Sequence, residues 1–127
     1  MSKFNKRNID ELKKHLYDSY VHDSKIVSFE CYFGKDSIQI ELFNLIFNQR
    51  IKFIFNKIDL TLITKGNFGG SKETVSSLTA EENFAYLQKY VSNYNDFSDE
   101  SIYMVFQFFS GNELHIVAQS VDFEIVK

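Results

Sequence analysis

Proline and tryptophan are absent from this 127-residue chain, cysteine occurs once and glycine only five times. At the average usage of about 5%, a chain this long would carry roughly six prolines. Its bends must therefore come from bulges and Gly or Asn turns, and no prolyl isomerisation slows its folding. Cys31 alone cannot close an intramolecular disulfide, so nothing points to an oxidising compartment. The scarcity of glycine and proline excludes collagen-like and linker-like chains, and 44% hydrophobic residues exclude disorder. No run of about 18 apolar residues is present to span a membrane. The basic start, Met1 to Arg7, leads into charged residues, not into the apolar stretch of roughly 7–15 that a signal peptide needs. A formal charge of −3 lacks the basic surplus that phosphate binding requires. These absences lead us to expect one cytoplasmic domain over residues 1–127, without membrane or nucleic-acid partners.

What the chain has in abundance is phenylalanine, 14 residues, with 7 tyrosines, and their placing follows periodicity. Ile9, Leu12, Leu16 and Tyr20 recur at helical spacing, and Asn8 with Glu11 makes a capping-box spacing, so residues 8–22 read as an amphipathic helix. From Lys25 the period becomes two. Val27, Phe29, Cys31 and Phe33 form one face of a strand that would bury the thiol, and Ile38, Ile40 and Leu42 form its hairpin partner. Ile51 to Thr64 is a long extended segment in which the apolar residues move from odd positions (Ile51, Phe53, Phe55) to even ones (Ile58, Leu60, Leu62). Such a flip near Asn56-Lys57 calls for a bulge or a corner.

Gly66, Gly69 and Gly70 mark a loop over 65–72. Thr79 with Glu82 reads as the start of a second helix, striped by Ala80, Phe84, Leu87 and Val91. The almost wholly apolar Ile102–Phe109 suits a strand covered on both faces. Ser110-Gly111-Asn112 turns it into a last strand from Glu113 to Val126, with a second phase flip at Ser120. The order α-β-β-β-α-β-β predicts an α+β fold: a mostly antiparallel, strongly curled sheet of about five to seven strands with two helices.

Chemistry is harder to find. Gly66 and Gly70 are followed by Ser71-Lys72, which breaks the spacing and order of a phosphate-binding P-loop. His15 and His22 are seven apart, about 10 Å along a helix and too far for one metal ion, and His115 is remote in sequence. His22-Asp23-Ser24 cannot face one another as neighbours, so they read as a helix end and a turn. Glu30 and Glu41 sit on facing strands but alternate outward, as solvated residues do. No nucleophile, base and oxyanion donors assemble, so we expect neither enzyme activity, cofactor nor metal. Charge is unevenly spread. Between residues 79 and 100 Glu81, Glu82, Asp96, Asp99 and Glu100 face Lys89 alone, whereas Lys3, Lys6, Arg7, Lys13 and Lys14 dominate the first fourteen residues. With Tyr86, Tyr90 and Tyr94 at i, i+4 and i+8, Glu81, Glu82, Asp96, Asp99 and Glu100 form the candidate partner surface.

Two stretches carry a resemblance. Tyr20-Val21-His22-Asp23-Ser24-Lys25-Ile26 resembles the HDS-x-I opening of small uncharacterised bacterial proteins, some grouped with the immunity proteins of polymorphic-toxin systems. Phe108 to Ile116 is similar to the S-G-x-x-L-x-I ending of the same chains. The resemblance implies a compact, non-enzymatic domain that neutralises a cognate toxin by occlusion. An alternative is a curled sheet or half-barrel enclosing a small apolar ligand, motivated by the phase flips, the many Phe residues and the glycine loop. An enzyme built on dispersed residues such as Glu30, Glu41 and His115 ranks below both. A cleft holding His115 beside a carboxylate would revive it.

Overall fold

The computed structural model describes residues 2–32, 34, 36–64, 73–92 and 97–126. Among them are one α-helix and seven strands in a single antiparallel sheet, an α+β fold. The strands are β1 (Ser2–Phe4), β2 (Lys25–Tyr32), β3 (Ser37–Asn44), β4 (Gln49–Thr64), β5 (Val75–Glu81), β6 (Ile102–Phe108) and β7 (Glu113–Val126), and α1 spans Ile9–Asp18. The sheet order is β2-β3-β4-β7-β6-β5. β4 follows β7 along almost its whole length, from Arg50 opposite Val126 to Thr64 opposite Glu113. The other side of β7 is shared end to end: β6 pairs with Glu113–Ala118 and β1 with Val121–Phe123.

The sheet is open, not the strongly curled one expected. Its outer strands touch at one corner, where Lys25 bridges Thr74. Phase flips are accommodated locally instead of bending the whole sheet. Lys57 takes a φ of 55°, so Phe55 and Ile58 both reach the helix-side core from opposite parities. A register shift between Ile58 and Leu60 then sends Leu60 and Leu62 to the reverse face. The expected bulge is therefore present, but it divides the second apolar triplet between two cores.

The helix-side core packs Ile9, Leu12 and Leu16 of α1 onto Ile40, Phe53, Phe106, Ile116 and Phe123. The helix ends two residues before Tyr20, which lies in a left-handed turn at φ 55° and does not extend the buried stripe. Its start also differs. Asn8 makes no side-chain cap, because a one-turn 3-10 helix at Lys6–Asn8 precedes α1 and Asn5 caps that turn. Asn5 Oδ1 accepts from the Arg7 N–H at 2.9 Å, and Asn8 Oδ1 accepts from the Asn5 N–H at 2.7 Å. The second helix is absent from the described residues. Thr79, Ala80 and Glu81 finish β5 against Val105, Met104 and Tyr103, and Leu87–Lys89 form a 3-10 turn. Non-local pairing with a nearly all-apolar β6 overrides the local capping signal. Phe84, Leu87 and Val91 still act together, covering Tyr103, Val105 and Val117 on the reverse face.

In β2 the register shifts between Ile26 and Ser28, so Ile26 is buried and Val27 is not. Cys31, expected inside, is exposed near the end of this edge strand. It should take up one equivalent of a maleimide in the folded protein, at a rate within about tenfold of that in urea. Strong protection in native buffer would contradict this placement. The glycine loop at 65–72, Phe33, Tyr94 and Asp96 lie outside the described residues. No described helix is long and apolar enough to cross a membrane.

Candidate functional site

Leu45, Ile46 and Phe47 follow the end of β3 and form the turn into β4. Three consecutive large apolar residues cannot all face one side of a strand, and here they face water, with exposures of 81%, 74% and 49%. The turn that carries them is tied down by side-chain hydrogen bonds. Asn44, itself buried, accepts on Oδ1 from the backbone N–H of Ile46 at 2.9 Å and of Phe47 at 3.2 Å. Its amide donates to the carbonyl of Tyr20 at 2.9 Å. Buried Gln49 donates to the carbonyl of Ser19 at 2.5 Å. These two side chains bind the hairpin tip to the link between α1 and β2. Tyr20 consequently stacks on Phe47, ring centres 4.6 Å apart, and Tyr17 stands nearby on the last turn of α1 with 85% exposure. The result is an aliphatic and aromatic patch held by buried amides, which is the composition and stiffness of a contact surface.

The expected partner surface is distributed differently. Glu81, at the end of β5, lies 4.0 Å from Lys13 of α1. Glu82 is exposed at the turn after it. Asp99 and Glu100 line a groove of about 500 Å³ together with Lys3, Lys6 and Arg7, and Lys6 Nζ donates to the Asp99 carbonyl at 2.9 Å. The acidic stretch and the basic N-terminal stretch thus meet each other. Tyr86 and Tyr90 belong to neither group: their hydroxyls donate to Glu113, at 2.5 Å to Oε2 and 3.1 Å to Oε1.

Glu113 and His115 are two apart on β7 and so share its reverse face. Glu113 Oε1 lies 3.1 Å from His115 Nε2, and Gln107 donates to Oε2 at 2.9 Å. The other imidazole nitrogen, Nδ1, lies 2.5 Å from the Tyr103 hydroxyl. Burial of Glu113 opposes its charge, but hydrogen bonds from Tyr86, Gln107, Tyr90 and His115 outweigh it and hold the carboxyl below its ordinary range. Burial lowers His115 from its usual value, despite the neighbouring carboxylate. The hydrogen bond to Glu113 pushes the Tyr86 phenol up, and burial does the same to Tyr103. At neutral pH the array is therefore Tyr103 O–H to Nδ1, then Nε2–H to a carboxylate.

No protein-family model matches the chain, and no curated protein is similar to it.

The hydroxyl–imidazole–carboxylate order has the connectivity of a proton relay, and the carboxylate beside His115 is the partner that could revive an enzyme. His115 is fully buried, and the nearest groove, about 400 Å³, is walled by Tyr86, Tyr103 and residues of β5 without His115 or Glu113. Glu30 and Glu41 are not brought together: the Tyr32 hydroxyl donates to Glu30, while Glu41 lies 3.6 Å from Arg50. The histidines stay apart as well, His15 against Phe4 and Phe123, His22 beside Tyr20. Among the described residues no group of three or more His, Cys, Asp or Glu could hold a metal ion.

Proposed function

We propose that this chain is a non-enzymatic partner-binding domain of the immunity type, which neutralises a cognate toxin by covering it. The observation that carries this reading is the hairpin tip, where Leu45, Ile46 and Phe47 are exposed on a turn fixed by buried Asn44. Burying such side chains only when a partner arrives is how a rigid surface gains affinity without ordering cost. The acidic stretch lies beside the basic one, at Lys13 and Glu81 and at Lys6 and the Asp99 carbonyl, which favours apolar contact, more than charge, as the driving term. The tyrosine of the relay is buried and holds its proton more tightly than usual, which favours a structural role for that cluster over catalysis. The ligand-enclosing alternative gains no support from the helix-side face, which is filled by Phe53, Phe55, Phe106 and Phe123.

The test is co-expression with the product of the adjacent gene, scored by co-purification and by rescue of growth. Ile46→Asp should weaken capture by about thirtyfold, the cost of a hot-spot residue near 2 kcal/mol, with the melting temperature within about 2 °C of the parent. Undiminished capture by Ile46→Asp, or no rescue by the parent chain, would overturn the proposal.

A further inference from the structure

β5 ends the sheet, and its outer edge is used for only a few residues. There the chain's own backbone pairs with it: Asp23 N–H donates to the Val75 carbonyl at 2.8 Å, Val75 N–H to the Ser24 carbonyl at 2.8 Å, and Ile26 N–H to the Glu73 carbonyl at 3.1 Å. This antiparallel ladder is abandoned at Asp23, which turns away with a φ of 68°. From Ser76 to Glu81 no strand among the described residues pairs with that edge. A groove of about 620 Å³ runs there instead, with β5 on one side and Lys13, Tyr17, Tyr20 and His22 on the other.

Exposed strand edges are normally blunted by proline, lysine or a charged side chain turned inward. Ser76-Ser77-Leu78-Thr79-Ala80 carries none of these, and the first charge, Glu81, is beside Lys13 at the far end. The groove is continuous with the proposed contact patch, because Tyr20 forms part of its wall and stacks on Phe47. We infer that the edge of β5 takes up an extended, largely uncharged segment of the partner as an added strand, continuing the ladder that residues 23–26 begin. Backbone bonds would then supply affinity, and the tyrosine wall would select the apolar side chains of alternate residues. This inference rests on the partner-binding reading.

Random twelve-residue peptides displayed on phage would be selected on the immobilised protein, and synthetic copies of the enriched peptides titrated onto isotope-labelled chain. The expected footprint is a slowing of hydrogen exchange by at least about tenfold, confined to Ser76–Glu81. Tyr17→Ala should weaken peptide binding at least about fivefold, and Phe109→Ser, on the β6–β7 turn and outside the groove's lining, should leave it unchanged. Absence of any enriched peptide would overturn the inference. So would protection of the same amides by concentration-dependent dimerisation without peptide, since the edge would then serve a second copy. A footprint confined to Leu45–Phe47 would overturn the added strand while leaving the partner-binding reading intact.

Discussion

Phe53→Ala should remove about 3–5 kcal/mol of stability, a large share of the roughly 5–15 kcal/mol that a domain of this size has to lose. Phe53 is fully buried on β4, opposite Ile40 of β3 and Phe123 of β7. Its ring centre lies 5.2 Å from that of Phe123, 5.7 Å from Phe106 in an edge-on contact, and 6.0 Å from Phe55. Truncation would leave a void walled by three other rings on three strands, whose backbones are fixed by the sheet and cannot collapse inward. Urea unfolding of parent and variant checks this, with the midpoint lowered and the slope unchanged. Phe109→Ala, at a site with 67% exposure, should stay within about 0.5 kcal/mol of the parent. A loss under about 1 kcal/mol at Phe53 would show that the four-ring cluster is not the centre of the core.

Periodicity made β3, β4, β6, β7 and α1 legible, because each buries one face, or two, in strict register with its neighbours. β1 was not legible: Ser2-Lys3-Phe4 has one apolar residue and becomes a strand only because β7 runs past the end of β6 and leaves Val121–Phe123 to be paired. The second helix failed for a related reason. Thr79 and Glu82 carry a true local preference, yet Ser77–Glu81 gain more by pairing with five residues of β6. Periodicity places Cys31 on the face of Phe29, opposite Ile38, but cannot show that this end of edge strand β2 is left uncovered, so the thiol is exposed.

The contact patch had a signal that periodicity passes over. Leu45-Ile46-Phe47 follows an alternating strand, and three apolar residues in succession at a turn cannot all be inside. Tyr86 and Tyr90 looked like contact residues since their partner, Glu113, is distant in sequence. The clue lay in β7: a carboxylate and an imidazole two apart in an otherwise apolar run require buried partners. Charge was read as asymmetric along the chain, but folding lays Lys6 against Asp99 and Lys13 near Glu81. Of these two contacts only Lys13 with Glu81 is a charge pair, exposed and worth about 0–1 kcal/mol; Lys6 donates to the Asp99 backbone carbonyl, which draws the two stretches together without pairing that carboxylate.

Glu113→Ala should cost about 3–5 kcal/mol, because Glu113 accepts from Tyr86, Tyr90 and Gln107 and partners the buried His115 at once. Tyr90, partly exposed, can turn to water, but the imidazole N–H cannot. The same cluster sets an acid response. Both His115 and Glu113 have folded values below their ordinary ones, so the unfolded chain binds the protons first. Stability is therefore full above the unfolded histidine value near 6.5 and falls as the pH drops below it, by at most about 1.4 kcal/mol per pH unit for that proton. A second loss begins below the unfolded glutamate value, about 4.3. The phenols of Tyr86 and Tyr103, both pushed above their ordinary value, keep their protons throughout this range and add no step of their own. Urea midpoints measured from pH 8 to pH 3 check the sign. His115→Gln should flatten the part between about pH 6.5 and 5 while leaving the lower step, and Glu113→Gln should remove the lower step. A parent protein equally stable at pH 7.5 and pH 5 would show that His115 takes up its proton as readily folded as unfolded, and the buried array would lose its place as the clamp that fixes the 84–91 segment to the sheet.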